Sequence, residues 1–171
     1  MFEIRTAMSK DNTAIREVHT KAFGGPVEAK LVQLISERKK ALITLVAVSD
    51  GRVVGHILFS RVTIAKSPET FNAVGLGPVA VLPEFQRNGI GSRLIRAGLE
   101  RSKQAGYDVV VLIGNPHYYS RFGFLQAADF SLENEYGVHK EFMVLPLHNG
   151  ALERVSGMVR YSPEFREAEQ A

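Results

Sequence analysis

The sequence predicts a single α/β domain (α+β by some schemes) built on a mixed, mostly antiparallel sheet with helices on both faces. Three observations carry this. Two strand-like runs, Thr44-Leu45-Val46-Ala47-Val48 and residues 53–59, flank Asp50-Gly51, a hairpin turn signal. A short apolar run ended by proline, Val79-Ala80-Val81-Leu82-Pro83, leads through a loop to apolar residues at Ile90, Leu94, Ile95 and Leu99, the spacing of one helical face. A β-branched run, Val109-Val110-Val111-Leu112-Ile113, follows that helix, and a right-handed crossover makes the two flanking strands parallel.

The remaining elements follow in order. Phe2-Glu3-Ile4-Arg5 alternates and reads as a first strand. Ser9 can cap a helix over residues 10–22, with Ile15, Val18 and Ala22 on one face. Gly24-Gly25-Pro26 breaks the chain, and Pro26 suits the start of a second helix to about Arg38 that buries Val27, Leu31, Leu34 and Ile35. Ser67-Pro68-Glu69-Thr70 is a surface loop, so the hairpin and the central strand form a meander. Gly106 ends the central helix as a C-cap. Pro116 starts a short helix that Gly123 stops, and residues 141–147 form a further strand. The core covers residues 2–147; residues 148–171 are an appendage whose polar end, 164–171, frays.

Composition narrows the functional classes. The chain has 171 residues, 45% hydrophobic and 23% charged, which suits one globular domain with a sizeable core. It has no cysteine, so disulfides, zinc-thiolate sites and a cysteine nucleophile are excluded, and a cytoplasmic home is the simplest expectation. The start, Met1-Phe2-Glu3-Ile4-Arg5, is not a signal peptide, and no apolar run is long enough to span a membrane. The net charge of +3 suits a polyanionic small molecule; basic residues are dispersed and form no aromatic–basic stripe, which argues against nucleic acid. The five histidines show no metal-ligand spacing.

The order of strand, loop and helix at residues 77–103 is that of an anion site, because the loop's N–H groups open the helix. A Walker loop is excluded, since no Lys-Ser or Lys-Thr follows a suitable glycine pair. A dinucleotide fingerprint fails at Leu94, where its third glycine belongs, and Asp108 begins the next strand rather than ending it. The pattern Gln/Arg-x-x-Gly-x-Gly/Ala fits at every position of Gln86-Arg87-Asn88-Gly89-Ile90-Gly91. Tyr118-Tyr119-Ser120-Arg121-Phe122-Gly123-Phe124 fits aromatic-Tyr-x-x-x-Gly-Phe.

In these two motifs, and in element order over residues 2–147, the chain resembles the GNAT acetyltransferase superfamily. It is most similar to predicted bacterial N-acetyltransferases with Leu-Gly-Pro before the central strand, here Leu76-Gly77-Pro78. The resemblance implies a splay between the central strand and the next, and acetyl-CoA as the acetyl donor. Its pyrophosphate would lie on Gln86, Arg87, Asn88, Gly89, Ile90, Gly91 and Ser92, and its pantetheine arm along Val79, Ala80 and Val81. The implied reaction is direct acetyl transfer to a primary amine of a small molecule or protein, with Tyr119 as the acid that protonates the departing thiolate and Tyr118 packed in the core. The resemblance leaves room for a homodimer. It leaves the general base open among Glu84, His117, His139, Glu133, Glu135 and water. The alternative is a non-catalytic module that binds acyl-CoA as sensor or scaffold.

Overall fold

The computed structural model describes residues 1–170. They form two compact units. The first comprises Met1–Ser60, Gly77–Glu100 and the segment from Pro163; the second comprises Arg61–Leu76 and Arg101–Ser162. The chain passes between them within two strands and one helix.

In the first unit, β1 (Glu3–Thr6) pairs antiparallel with β2 (Ala41–Ser49), which pairs antiparallel with β3 (Arg52–Lys66). The Asp50-Gly51 turn joins β2 to β3 with both residues at positive φ, 49° and 77°, which matches the twist of a two-residue hairpin. Next to β3 lies β4 (Ala73–Val81), held at its end by the Leu82 N–H donating to Val54 O at 2.8 Å. The expected meander is therefore present, with longer strands than the sequence marked.

Helices cover both faces of this unit. Adjacent residues of β3 point to opposite faces, as the period of a strand requires. Gly55 faces α3 (Ile90–Gln104): a Cβ there would stand 3.0 Å from Leu94 Cδ1 and 3.2 Å from Ile90 Cγ2. His56 faces the other way and meets His19 of α1 (Asn12–Phe23). The second contact of α3 is closer still, because a Cβ at Gly98 would fall 2.3 Å from the Phe59 ring. Two glycines, one on each element, let α3 sit nearer to β3 than any side chain would allow.

Several helical details differ from the sequence reading. Ser9 does not cap α1. Residues Ser9–Asp11 form a 3₁₀ turn, and Asp11 accepts the Met8 N–H at 2.7 Å while gripping Arg5 through two bonds of 2.8 and 3.0 Å. A carboxylate three residues on accepts an N–H and an arginine at once, which a serine hydroxyl cannot do. In α2 (Val27–Glu37) the buried residues are Ala29, Leu31, Val32 and Ile35, while Val27 is exposed and Leu34 half-buried. Pro26 is the N-cap, so Val27 opens the helix at its end, where it has little to pack against. The polar terminus is not frayed over its described part: Glu164–Glu169 is a helix, α5. Glu164 is buried and accepts from Arg38 at 3.0 Å and Lys40 at 2.8 Å, and Arg38 forks onto Glu167 with two bonds of 2.7 Å. Ala171, the last residue of the stretch read as frayed, lies outside the described residues.

In the second unit β4 pairs parallel with β5 (Val109–Ile113) over Ala73–Val109, Val74–Val110 and Gly75–Val111, and the ladder stops there. β5 pairs antiparallel with β8 (Phe142–Pro146), and β8 with the two-residue β6 (Leu125–Gln126). Asp108 closes the start of β5, accepting from Asn72 N–H at 2.7 Å and bonding His148 Nε2 at 2.8 Å. Three strands of this unit were not foreseen, β6 among them. β9 (Ser156–Arg160), within the presumed appendage, pairs antiparallel with β3 and parallel with β7 (Leu132–Asn134). Their partners are remote in sequence, and β7 has only three residues, too few to show a period. Val62, Ile64, Val111, Phe142, Val144 and Val159 fill the core of this unit.

The buried histidine pair makes stability depend on pH. His19 Nε2 and His56 Nδ1 are 2.8 Å apart, and His56 Nε2 lies 2.7 Å from Thr44 Oγ1. One ring must donate to the other, so two added protons would set N–H against N–H. Burial holds His19 down at about 4 and His56 well below its ordinary value, with the neighbouring His19 adding to the latter and Asp11 opposing it. Lowered histidines contribute stability that is fully present above the unfolded value, about 6.5, and is lost as pH falls toward the folded value. Urea unfolding should show stability falling by up to about 1.4 kcal/mol per pH unit for each histidine below pH 6.5. A flat profile from pH 6.5 to 5 would refute the neutral pair.

Gly98→Ala should destabilise the protein by about 1–3 kcal/mol despite alanine's better helix propensity, because its methyl overlaps the Phe59 ring. Adding Phe59→Leu should recover part of that loss in a double-mutant cycle by thermal denaturation; strict additivity of the two changes would contradict the contact.

Candidate functional site

The loop between β4 and α3 lies wholly in the first unit. Pro83–Phe85 form a 3₁₀ turn whose Phe85 N–H donates to Leu82 O at 2.9 Å. Arg87 and Gly89 then both take positive φ, 65° and 80°. Two carboxamides brace the turn: Gln86 Nε2 donates to Val81 O at 2.9 Å, and Asn88 Nδ2 donates to Phe85 O at 3.2 Å and Gln86 O at 3.3 Å.

The helical ladder of α3 begins with Arg93 N–H to Gly89 O at 3.1 Å, so the N–H groups of Ile90, Gly91 and Ser92 precede it. The ladder's positive end therefore lies at this turn, and α3 has no acidic residue in its first turn to offset it. Residues 86–89 are exposed, while Ile90 is buried and anchors the helix start. The space where a Gly89 Cβ would stand is open within 4 Å. This is a braced, positively polarised turn suited to an anion with several oxygens.

Along β4, Val79 is half-buried, and Ala80 and Val81 are buried. Ala80 O lies on the Gly55 side, and Leu82 N–H is bonded to β3. The main chain of Val81, between them, points away from β3 and is where Gln86 bonds.

The tyrosine motif lies in the second unit. Asn115 caps α4 (Pro116–Tyr119), accepting the His117 N–H at 2.9 Å; the sequence reading took Pro116 as the start signal and overlooked this cap. A 3₁₀ turn over Ser120–Phe122 follows and ends at Gly123 with φ 94°, as expected. The Tyr119 ring lies over Gly114 at the end of β5, where a Cβ would stand 2.4 Å from it, and edge-on to Tyr118 at 5.0 Å. Burial, with a smaller contribution from Tyr118, pushes the Tyr119 hydroxyl up to about 12. Tyr118 is half-buried rather than in the core. Its ring carries the Arg121 guanidinium at 4.4 Å, and the buried aromatics of the segment are Phe122 and Phe124. Tyr119 is half-buried as well, so the one-residue step separates the two rings without sending either into the core.

The candidate bases are scattered. Glu84 is exposed in the turn before the loop, and His117 is exposed in α4. Glu135 accepts the Tyr161 N–H at 2.9 Å and faces Arg160 at 3.8 Å, which gives it a structural duty. Glu133 and His139 line one cavity of about 560 Å³ in the second unit, together with Asn134 and Met158. The His19–His56–Thr44 chain was not foreseen as a unit, since its first two members are 37 residues apart. Among the described residues no group of three or more His, Asp or Glu side chains could hold a metal ion, and no helix is long and apolar enough to cross a membrane.

Comparison with known proteins agrees with the fold. The model of the acetyltransferase (GNAT) domain matches residues 3–127. The uncharacterized N-acetyltransferase YhbS of Escherichia coli is 35% identical over 164 residues, 95% of this chain and 97% of its own. A second, YjhQ of Escherichia coli K12, is 40% identical over 72% of this chain and 69% of its own. The crystal structure of YhbS in complex with CoA superposes with a TM-score of 0.91, covering 96% of this chain and 92% of that one at 34% identity. A GNAT family acetyltransferase from Brucella melitensis, solved with acetyl-CoA, superposes with a TM-score of 0.81 over 96% and 98% of the two chains, also at 34% identity. With a family model spanning most of the chain and relatives matching it nearly end to end, this protein belongs to the GNAT acetyltransferase family.

Proposed function

We propose that this chain is an N-acetyltransferase that takes acetyl-CoA as donor and moves the acetyl group directly to a primary amine. The observation that carries the reading is the braced turn of residues 86–91 at the start of α3, in a chain whose relatives were solved with CoA and acetyl-CoA. In this reading the N–H groups of the turn hold the pyrophosphate, and Gly89 and Gly91 let its oxygens approach the main chain. The edge of β4 from Val79 to Val81 receives the amides of the pantetheine arm.

The chemistry sets two proton tasks. The amine must lose its ammonium proton before it can attack, because an alkylammonium has a pKa of about 10.4, and its nitrogen, cationic once bonded to the carbonyl carbon, must then lose a second. As the tetrahedral intermediate collapses, the new C–N bond stays, the C–S bond breaks, and the departing sulfur takes a proton. Tyr119 is assigned the second task. Its hydroxyl, pushed up to about 12, stays protonated at neutral pH and has a proton to give. The first task falls to water or to His117, His139 or Glu84. The acceptor is a small molecule or a protein, and a cytoplasmic setting and a homodimer are both compatible with the fold.

Turnover of acetyl-CoA against a panel of amines tests the activity itself: no transfer to any amine, with CoA still bound, would favour a binding module. Gly89→Val should weaken CoA at least about tenfold in calorimetry. Valine fills the open space before the turn and disfavours a φ of 80° by roughly 1–2 kcal/mol. Unchanged affinity would remove the loop from the cofactor site. Tyr119→Phe should lower kcat roughly 10²–10⁴-fold while acetyl-CoA affinity changes little, and Tyr118→Phe should do much less. Near-normal turnover of Tyr119→Phe, measured where chemistry limits the rate, would assign the acid to another group.

A further inference from the structure

We propose that Gln86 is a positioning residue that sets the cofactor turn before any ligand arrives, by donating its carboxamide N–H back to the strand the turn has just left. The inference rests on the reading that this turn receives the pyrophosphate.

The geometry has two parts. Gln86 Nε2 reaches back five residues to Val81 O at 2.9 Å. The main chain of Val81 points away from β3, since its neighbour Leu82 bonds Val54 on the β3 side and successive residues alternate. The bond therefore occupies the outward edge of β4 at its last residue.

The first consequence is for the turn. Arg87 sits at φ 65°, a region that non-glycine residues enter only where their surroundings over-determine it. Gln86 on one side and Asn88 on the other supply that determination through their side-chain amides. The second consequence is for the ligand. With Val81 O accepting from the carboxamide, a ligand pairing along the edge meets the Gln86 side chain at this residue, so the strand-like part of the contact gives way to the loop there. Gln86 thus marks the changeover from edge pairing to anion binding.

The role needs a donor and a reach, not a charge. Glutamine and arginine both carry N–H groups on side chains long enough to reach back, whereas glutamate offers only acceptors when ionised. This supplies a physical reason for the Gln-or-Arg choice at the first position of the loop pattern.

The test uses the full chain and CoA in isothermal calorimetry, with thermal melting and amide hydrogen exchange on the ligand-free protein. Gln86→Ala should weaken CoA about five- to tenfold, leave the melting temperature nearly unchanged and speed exchange of the amides of residues 86–91. Gln86→Arg should restore affinity to within about twofold and restore protection. Gln86→Glu should bind more weakly than Gln86→Ala, since it adds an acceptor beside Val81 O and a negative charge beside an anion. Wild-type affinity in Gln86→Ala, equal loss in Gln86→Ala and Gln86→Arg, or weakening that only tracks a general drop in melting temperature each overturns the role. Gly89→Val separates the two readings. If it leaves CoA binding intact, the loop is not the site; if it weakens binding while Gln86→Ala does not, only the positioning role fails.

Discussion

The close approach of α3 to β3 is the constraint on which the candidate cofactor site depends. Gly55 and Gly98 leave the helix no Cβ between it and the strand, so Leu94 and Phe59 pack against bare backbone. That contact fixes the axis of α3, and the axis fixes where its N-terminal N–H groups point. The Gln86 bond to Val81 O then ties the turn to the end of β4, so the helix start and the strand edge are held by one short, doubly anchored segment. A site built this way is defined by backbone, and its side chains brace rather than reach.

On the opposite face the same strand carries a different kind of packing. His56 is one residue from Gly55, yet it sits among helices α1 and α2 as a neutral ring bonded to His19 and Thr44. Burying two imidazoles is tolerable while one ring donates and the other accepts, so the pair joins α1 to the sheet only above the pH at which either ring charges. The C-terminal helix is joined to α2 by another device, a buried carboxylate held by two partly exposed cations.

The tyrosine motif follows the logic of the loop in the second unit. Gly114 removes the side chain that would collide with the Tyr119 ring, and Asn115 caps the short helix that carries it. Burial raises the hydroxyl's pKa further above the neutral range, where a phenol is already protonated. Tyr118, one position away, is committed to Arg121 instead. Two adjacent tyrosines with the same chemistry are thus given different duties by what lies beneath each ring.

Legibility in the sequence followed the range of the determining interactions. Gln86, Gly89 and Gly91, the helical face of Ile90, Leu94 and Ile95, the Asp50-Gly51 hairpin and the Pro116-to-Gly123 turn were all readable, because turn chemistry and helical period act between residues a few positions apart. Asp11 displacing Ser9 as the cap was within that range but undecidable, since both residues can accept an N–H and only the position of Arg5 selects the carboxylate. The tertiary structure alone decided the pairing of His19 with His56, the insertion of Ser156–Arg160 between β3 and β7, the docking of Glu164 onto Arg38 and Lys40, and the half-burial of Tyr118. The first three join residues tens of positions apart, and the last depends on what lies beneath the ring. The sequence by itself determined where the backbone turns and which face of each regular element is apolar; which distant partner meets each polar side chain was settled only when the elements packed, because a polar group's partner depends on distances that no local pattern encodes.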